Sequence, residues 1–310
     1  PPGFRSRLPF FSEKVERKVL LTLDFIDQLR DSVIADLFRL AFATTMVSFS
    51  NYSYEPSLGT RPGSGKPLID NADVMGIVAA KLRQMAADIE FQRGLLALVD
   101  RKPTADLRLE SFMQGAPKLP EATVDLALTS PPYLNNYHYV RNTRPHLFWL
   151  DFVTSSTELC KLETDNFGKF WQTVRDGERV DLDFDRPGLQ ERIDALRLIN
   201  THKGVYGGDG WANYAASYFN DSYALFRELS RLLRPGGTAI VVVGNNVLQG
   251  IEFKVDQDMV DIARLLGLDA HTEIIRQSRV GSSIMGTGLR HAVSKPIGLY
   301  EAAVIATRPR

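Results

Sequence analysis

A chain of 310 residues with 44% hydrophobic content is long enough to bury a sizeable core, as one large domain or as a domain with a helical appendage. Its 37 basic residues balance 37 acidic ones, which excludes a global field drawing the molecule onto nucleic acid or an anionic membrane, so any polyanion site must be a local patch. The single Cys160 excludes an internal disulfide framework and a Cys-rich zinc site and fits a reducing, cytoplasmic compartment. No apolar run reaches the roughly 18 residues that read as a membrane span, and the opening PPGFRSRLPFF has no signal-peptide core.

From Ser12 to about Met46 apolar residues recur at helical spacing, and two helices are expected, broken near Arg30-Asp31-Ser32, with Ser12 and Glu13 opening the first. The stretch SNYSYEPSLGTRPGSGKPLID, residues 50–70, is a loop by its Gly, Pro and Ser content. Its GSGK is not a phosphate loop, because Thr60 stands where the first glycine is needed and Pro67 replaces the magnesium-binding Ser or Thr. It reads either as a solvated loop or as a basic one, through Arg61 and Lys66, that touches a nucleic-acid backbone. A further helix is expected from Asp73 to about Val99. After Pro103 short apolar runs alternate with helical stretches, the pattern of a mainly parallel sheet with crossover helices. ADLRLES (105–111) and VDLALTS (124–130) are the first candidate strands, and residues 137–184 are aromatic and charged without clean periodicity, as in an insertion over the rim of a sheet. LQERIDALRLIN and ANYAASYFNDSYALFRELSRLL are expected helices, the second stopped by RPGG (234–237). TAIVVVGNN (238–246) reads as a fully buried strand, a helix follows from about Asp256 to Leu266, and LDAHTEIIRQ and EAAVIATRP close the chain as an antiparallel pair.

In an open parallel sheet ligands collect beyond the carboxyl ends of the strands, and Ser130-Pro131-Pro132-Tyr133 follows such an end. Two consecutive prolines fix two φ angles and remove two amide donors, leaving a stiff turn that offers carbonyl acceptors. Such a turn suits a substrate amine: the Ser130 hydroxyl and the Pro131 carbonyl can accept both hydrogens of an exocyclic NH2, while Tyr133 stacks on the ring that bears it. A rigid strand-to-helix turn with a packed tyrosine is the alternative reading of the same four residues.

LTSPPY also resembles the catalytic motif of the amino-methyltransferases that use S-adenosylmethionine to methylate exocyclic amines of DNA bases, in the Ser-Pro-Pro-Tyr form of the cytosine-N4 enzymes. The similarity extends through SPPYLNNYHYVRNTRPHLFWL, which resembles bacterial DNA modification methylases of restriction-modification systems, and LLRPGGTAIVVVGNN, which resembles the fifth strand of class I methyltransferases. LPFFSEKVERKVLLTLDFI to VSFSNYSYEPS is similar to the helical insertion of that group. The resemblance implies an α/β fold, a class I (Rossmann-like) sheet with crossover helices and a helical insertion. It implies a helical region over 1–102, a catalytic core over 103–310, and an insertion of about 151–210 as the target-recognition region. The implied activity is methyl transfer to an exocyclic amine in DNA, cytosine N4 rather than adenine N6. An RNA amine, or a non-catalytic nucleic-acid-binding subunit of a split methyltransferase, are the alternatives.

The family's cofactor strand and its Asp-Pro-Phe-x-Gly-Ser-Gly turn occur at neither end of the chain; GSSIMGTG (281–288) neither follows an apolar strand nor precedes a helix. Since the family's strand order runs 3-2-1-4-5-7-6, the first strands are expected to be absent from this chain, supplied by a missing N-terminal segment or by a second polypeptide. The resemblance gives Ser130, Pro131, Pro132 and Tyr133 the catalytic role, and Ser111, Thr129 and Asn135 contacts to S-adenosylmethionine. Asn136, Tyr137, His138, Arg141, Asn245 and Asn246 are expected to contact substrate. Ser111 can equally be a helix cap. Arg144 and His146 read as phosphate or structural contacts, and Phe148, Trp149 and Leu150 as core. The acidic ammonium formed by amine methylation sheds its proton without a strong base, so His138 is not required as one. His202 and His271 lack metal-ligand spacing, and no catalytic metal and no membrane partner are expected.

Overall fold

The computed structural model describes residues 1, 3–54, 57–99, 103–134, 138–277 and 298–310. They form two compact units, one of residues 1–107 and 139–159, the other of residues 108–138 and 160–310. These units are drawn differently from the expected regions 1–102 and 103–310, because residues 139–159 return to the first unit.

The first unit opens with α1 (Glu13–Asp27) and α2 (Ser32–Thr45). The break between them has a local cause. Ser12 Oγ accepts from Val15 N at the start of α1, and the Asp31 carboxylate accepts from Val33 N and Ile34 N at the start of α2, each cap contributing about 1 kcal/mol. The Gly/Pro-rich stretch expected to be a loop contains a small antiparallel hairpin, β1 (Tyr52–Tyr54) with β2 (Leu58–Thr60). Three-residue strands are too short for alternation to be read. Arg61 Nε donates to the Pro67 carbonyl at 2.8 Å, closing its own loop. α3 (Val74–Leu96) is capped by Asp73, whose carboxylate accepts from Gly76 N at 3.0 Å. The core of this unit is aromatic: Phe11 meets Trp149 edge-on at 4.8 Å and stacks on Phe49 at 5.7 Å, with Phe42 fully buried beside them.

In the second unit come α4 (Phe112–Gly115) and β3 (Val124–Thr129). The expected strand at 105–111 is absent. Leu107 and Leu109 are 93% and 106% exposed in irregular backbone, since an alternating segment forms a strand only where a neighbour takes up its backbone hydrogen bonds. Residues 137–184, read as an insertion without clean periodicity, contain α5 (Tyr139–Trp149), which belongs to the first unit, α6 (Ser156–Asp165) and α7 (Trp171–Val174). These helices are short, and α5 carries Pro145 inside it, so the helical period does not build up in the sequence.

The second unit continues with α8 (Pro187–Arg197), α9 (Gly208–Leu232), β4 (Leu233–Gly244), a hairpin of β5 (Asn246–Leu248) and β6 (Ile251–Phe253), α10 (Val255–Leu265), β7 (Asp269–Arg276) and β8 (Glu301–Thr307). Among the described residues the main sheet has the order β3-β4-β8-β7. β3 and β4 run parallel, and β8 lies antiparallel to both β4 and β7, so the closing antiparallel pair is as expected. β4 begins earlier than expected and alternates buried with half-buried residues instead of being buried throughout. The Pro-Gly-Gly turn has a steric reason. A Cβ on Gly237 would stand 2.7 Å from the Val124 carbonyl oxygen, and Gly236 takes a φ of +80°. The core, with Phe219, Phe226 and Leu229 of α9, Val241 of β4 and Val304 of β8, lies between helices and sheet. No helix among the described residues is long and apolar enough to cross a membrane.

Candidate active site

Because β3 and β4 are parallel neighbours with Thr129 opposite Val241, Ser130 emerges at the carboxyl end of the pair. Its exposed hydroxyl donates to the Val242 carbonyl at 3.3 Å, which ties the start of the turn to the next strand. Pro131 is buried, Pro132 and Tyr133 are half-buried, and Leu134 is fully buried in the core. The turn is therefore held from both ends: by strand pairing before it and by a buried side chain after it. The Leu134 carbonyl also accepts a hydrogen bond from Asn246 Nδ2. The Tyr133 hydroxyl stands 3.5 Å from Glu301 Oε1 at the start of β8, which limits the orientation of its ring. Tyr218 of α9 is fully buried near the Tyr133 ring and the Leu134 backbone; burial raises its hydroxyl well above the ordinary tyrosine range, so it stays protonated.

Ser111, Thr129, Ser130, Pro131 and Pro132 come together on one cavity of about 520 Å³, whose other walls are mainly apolar, including Phe167 and Leu225. Ser111 occupies the N-cap position of α4 without a capping hydrogen bond from its hydroxyl, which instead points to the Asp165 carbonyl at 3.5 Å. His138 packs against Phe170 with ring centroids 3.8 Å apart. Asn135, Asn136 and Tyr137 lie outside the described residues, as do GSSIMGTG and its neighbours. Arg141 belongs to the first unit, on the first turn of α5.

Asn245 and Asn246, expected to contact substrate, stand at the end of β4 and the start of β5. Both are fully buried. Asn245 Nδ2 donates to Glu252 Oε1 and the Gly298 carbonyl, and its Oδ1 accepts from Tyr300 N. Asn246 bridges the Leu134 carbonyl and its neighbour's Val247 N–H. These bonds tie the two carboxamides to the Leu134 end of the turn and to the approach to β8. Glu301, Phe167 and Tyr218 are neighbours of the turn that sequence reasoning missed, and nothing local signals them. His146 is structural: its Nε2 meets the Ala43 carbonyl at 3.1 Å, and burial lowers its pKa. No metal-ligating cluster of His, Cys, Asp or Glu occurs among the described residues.

Fold and site together define an α/β protein with a rigid, acceptor-rich turn at the carboxyl end of a parallel strand pair, beside a largely apolar cavity. The chain is similar to the Type II methyltransferase M.BsoBI of Geobacillus stearothermophilus, with 27% identity over 214 residues that cover 63% of this chain and 42% of that protein. It is also similar to the Type II methyltransferase M.AvaI of Nostoc sp., with 22% identity over 197 residues, covering 61% and 40%. The chain thus spans about two fifths of the length of these curated relatives. Among solved structures, a candidate DNA modification methylase from Thermus thermophilus aligns at a TM-score of 0.34 with 16% identity, over 67% of this chain and 55% of that one. Its complex with S-adenosyl-L-methionine aligns at 0.33. No family model matches the chain.

Proposed function

We propose that this chain is the amine-holding part of a DNA amino-methyltransferase that uses S-adenosylmethionine, with cytosine N4 as the favoured target over adenine N6. The observation that carries the reading is the Ser-Pro-Pro-Tyr turn, tied by Ser130 to β4 and by Leu134 to Asn246, at the carboxyl end of β3. Similarity to Type II methyltransferases supports it.

The cavity beside the turn fits one wall of a nucleoside-sized group: its volume of about 520 Å³ lies within the range of small-molecule sites, and the hydroxyls of Ser111 and Thr129 interrupt an apolar lining. Those two residues, with Asn135, would hold the cofactor. When bound, that group supplies an electrophilic methyl carbon on a sulfonium sulfur. The chain's own residues prepare the nucleophile. Ser130 Oγ and the Pro131 carbonyl accept the two amine hydrogens, which aims the nitrogen lone pair away from the turn. Tyr133 stacks on the base and keeps it out of its helix. The methylated ammonium is acidic, so its proton passes to water and no strong base is needed.

The Gly-rich cofactor loop, in this reading, arrives on a strand that pairs in parallel with the outer edge of β3. Among the described residues that edge has no strand partner, and Leu126 and Leu128, which share one face of β3, are 59% and 71% exposed, whereas parallel strands are ordinarily covered on both faces. The order β3-β4-β8-β7 is the one that strands 4-5-7-6 of such a sheet would take, which supports this reading. A second polypeptide as the source of the strand has no support in the comparisons. Residues 151–210, with α6, α7 and α8, are the proposed target-recognition region.

The test is transfer of a labelled methyl group to duplex DNA by the whole protein that contains this chain. A stack worth about 1–3 kcal/mol predicts that Tyr133→Ala lowers kcat/KM by roughly 5- to 150-fold. Mass spectrometry of the digested nucleosides separates N4-methylcytosine from N6-methyladenine and from RNA products. A fully active Pro131→Ala/Tyr133→Ala double variant would refute the proposal. Micromolar binding of S-adenosylhomocysteine by the 310-residue chain alone would refute the idea of a strand added at β3.

A further inference from the structure

The first unit holds a second cavity, of about 270 Å³, bounded by the segment Phe4 to Phe10, the β1–β2 hairpin and α5. Its charged lining residues are Arg5, Arg7, Arg141 and Arg144, and no acidic residue lines it. In a chain whose basic and acidic residues balance, four arginines converging from positions 136 residues apart in sequence are a local concentration of one sign. Arg5 and Arg7 are exposed and make no ion pair or hydrogen bond among the described residues. Arg144 is oriented by aromatic packing, its guanidinium carbon 5.8 Å from the ring centroids of both Phe4 and Phe148. Its Nε is shielded from solvent and has no hydrogen-bond partner among the described residues.

We propose that this groove binds the phosphodiester backbone of DNA, with Arg5, Arg7 and Arg144 on phosphate oxygens and Arg141 adding charge at the rim. Planar guanidinium forks match phosphate oxygens in pairs, which lysines do not. The volume falls below the roughly 300–1,000 Å³ of enclosed small-molecule sites, so it suits a sugar-phosphate segment passing through and not a whole nucleotide held inside. The contacts carry no sequence information; they fix where the protein sits on the duplex. The choice of DNA rests on the methyltransferase reading, whereas the choice of a phosphodiester rests on the groove itself.

The experiment is a fluorescence-anisotropy titration of the full chain with a short labelled DNA duplex across a salt series, alongside a single-stranded RNA of the same sequence. Each phosphate contact contributes about 0.9 to the slope of log affinity against log salt, so Arg5→Ala/Arg7→Ala/Arg144→Ala should lower that slope by about 2 to 3. Arg5→Glu/Arg7→Glu, which breaks no hydrogen bond or ion pair among the described residues, should weaken binding in the same direction with unchanged thermal stability. An unaltered slope in both variants overturns the proposal, and tighter binding of the RNA overturns the choice of DNA. Tyr133→Ala separates this idea from the catalytic one: it should leave the salt slope intact, and duplex binding that responds to the arginines in a protein without methyl transfer would uphold the groove while the catalytic reading fails.

Discussion

Replacing Asn246 with alanine tests how the Ser-Pro-Pro-Tyr turn is held. The carboxamide makes two buried hydrogen bonds, donating to the Leu134 carbonyl and accepting from Val247 N at 2.7 Å, and Asn246 and Leu134 are both sealed from solvent. Alanine leaves one carbonyl and one N–H without partners, each at about 1–3 kcal/mol, so the expected loss is about 2–6 kcal/mol. That is a large share of the roughly 5–15 kcal/mol that keeps a domain folded. Asn246→Asp separates the hydrogen bonds from the packing: it keeps an acceptor for Val247 but sets an oxygen against the Leu134 carbonyl and buries a charge, so it should lose at least as much as alanine at neutral pH. The assay is equilibrium urea denaturation followed by far-ultraviolet circular dichroism. The midpoint should fall while the slope with denaturant stays constant, since the folded surface is unchanged. A loss within about 0.5 kcal/mol, the ordinary range of a surface substitution, would refute the view that Asn246 fastens the turn.

Two further outcomes follow from buried titratable groups. Arg192 forks onto Asp258, with Nη1 3.1 Å from Oδ2, and the Asp258 side chain is nearly sealed while that of Arg192 is 31% exposed. Burial raises the Asp258 pKa and Arg192 opposes that rise, so Arg192→Leu strands a carboxylate at a cost of about 2–4 kcal/mol, discounted for the exposed guanidinium. A folded pKa above the unfolded one means that the penalty is absent below the unfolded value and grows as pH rises through the folded value; denaturation of the variant and parent at acid and neutral pH should show the gap closing in acid, and a pH-independent gap would exclude this cause. His146 has the opposite sign of shift for a base. Its pKa is lowered by burial, so the unfolded chain binds the extra proton first and stability falls as pH drops below about 6.5. His146→Asn should flatten that fall in thermal-unfolding scans, and a variant that tracks the parent's pH slope would sink the assignment.

The features legible in the sequence are those written within four or five neighbouring residues. Ser12 and Asp31 announce the starts of α1 and α2, the four residues 130–133 announce a turn at a strand end, and the uninterrupted apolar run at 239–243 announces β4. Features made by distant partners were not legible. Asn246 reaches Leu134 across 112 positions and Tyr133 reaches Glu301 across 168, and no local pattern encodes either contact. Residues 105–111 show the reverse error, a segment that alternates like a strand but has no neighbour to pair with among the described residues. The β5–β6 hairpin escaped notice because its turn uses Gln249 and Gly250, both at positive φ, instead of the Asn-Gly pair that usually marks such turns. The arginine groove joins residues near the start of the chain to others on α5, so it exists only after folding.

The parallel pairing of β3 with β4 has a consequence during synthesis. Val124 waits for Leu233, 109 positions later, before the strand gains β4 as a neighbour, and at roughly 5–20 residues per second that interval lasts about 5–20 s. Throughout it the edge of β3 that β4 will occupy stands open on a leucine-bearing strand, ready to pair with any extended chain nearby. Synonymous codons that slow elongation between these positions should therefore increase the aggregated fraction of newly made protein, while leaving the stability of the molecules that do fold untouched.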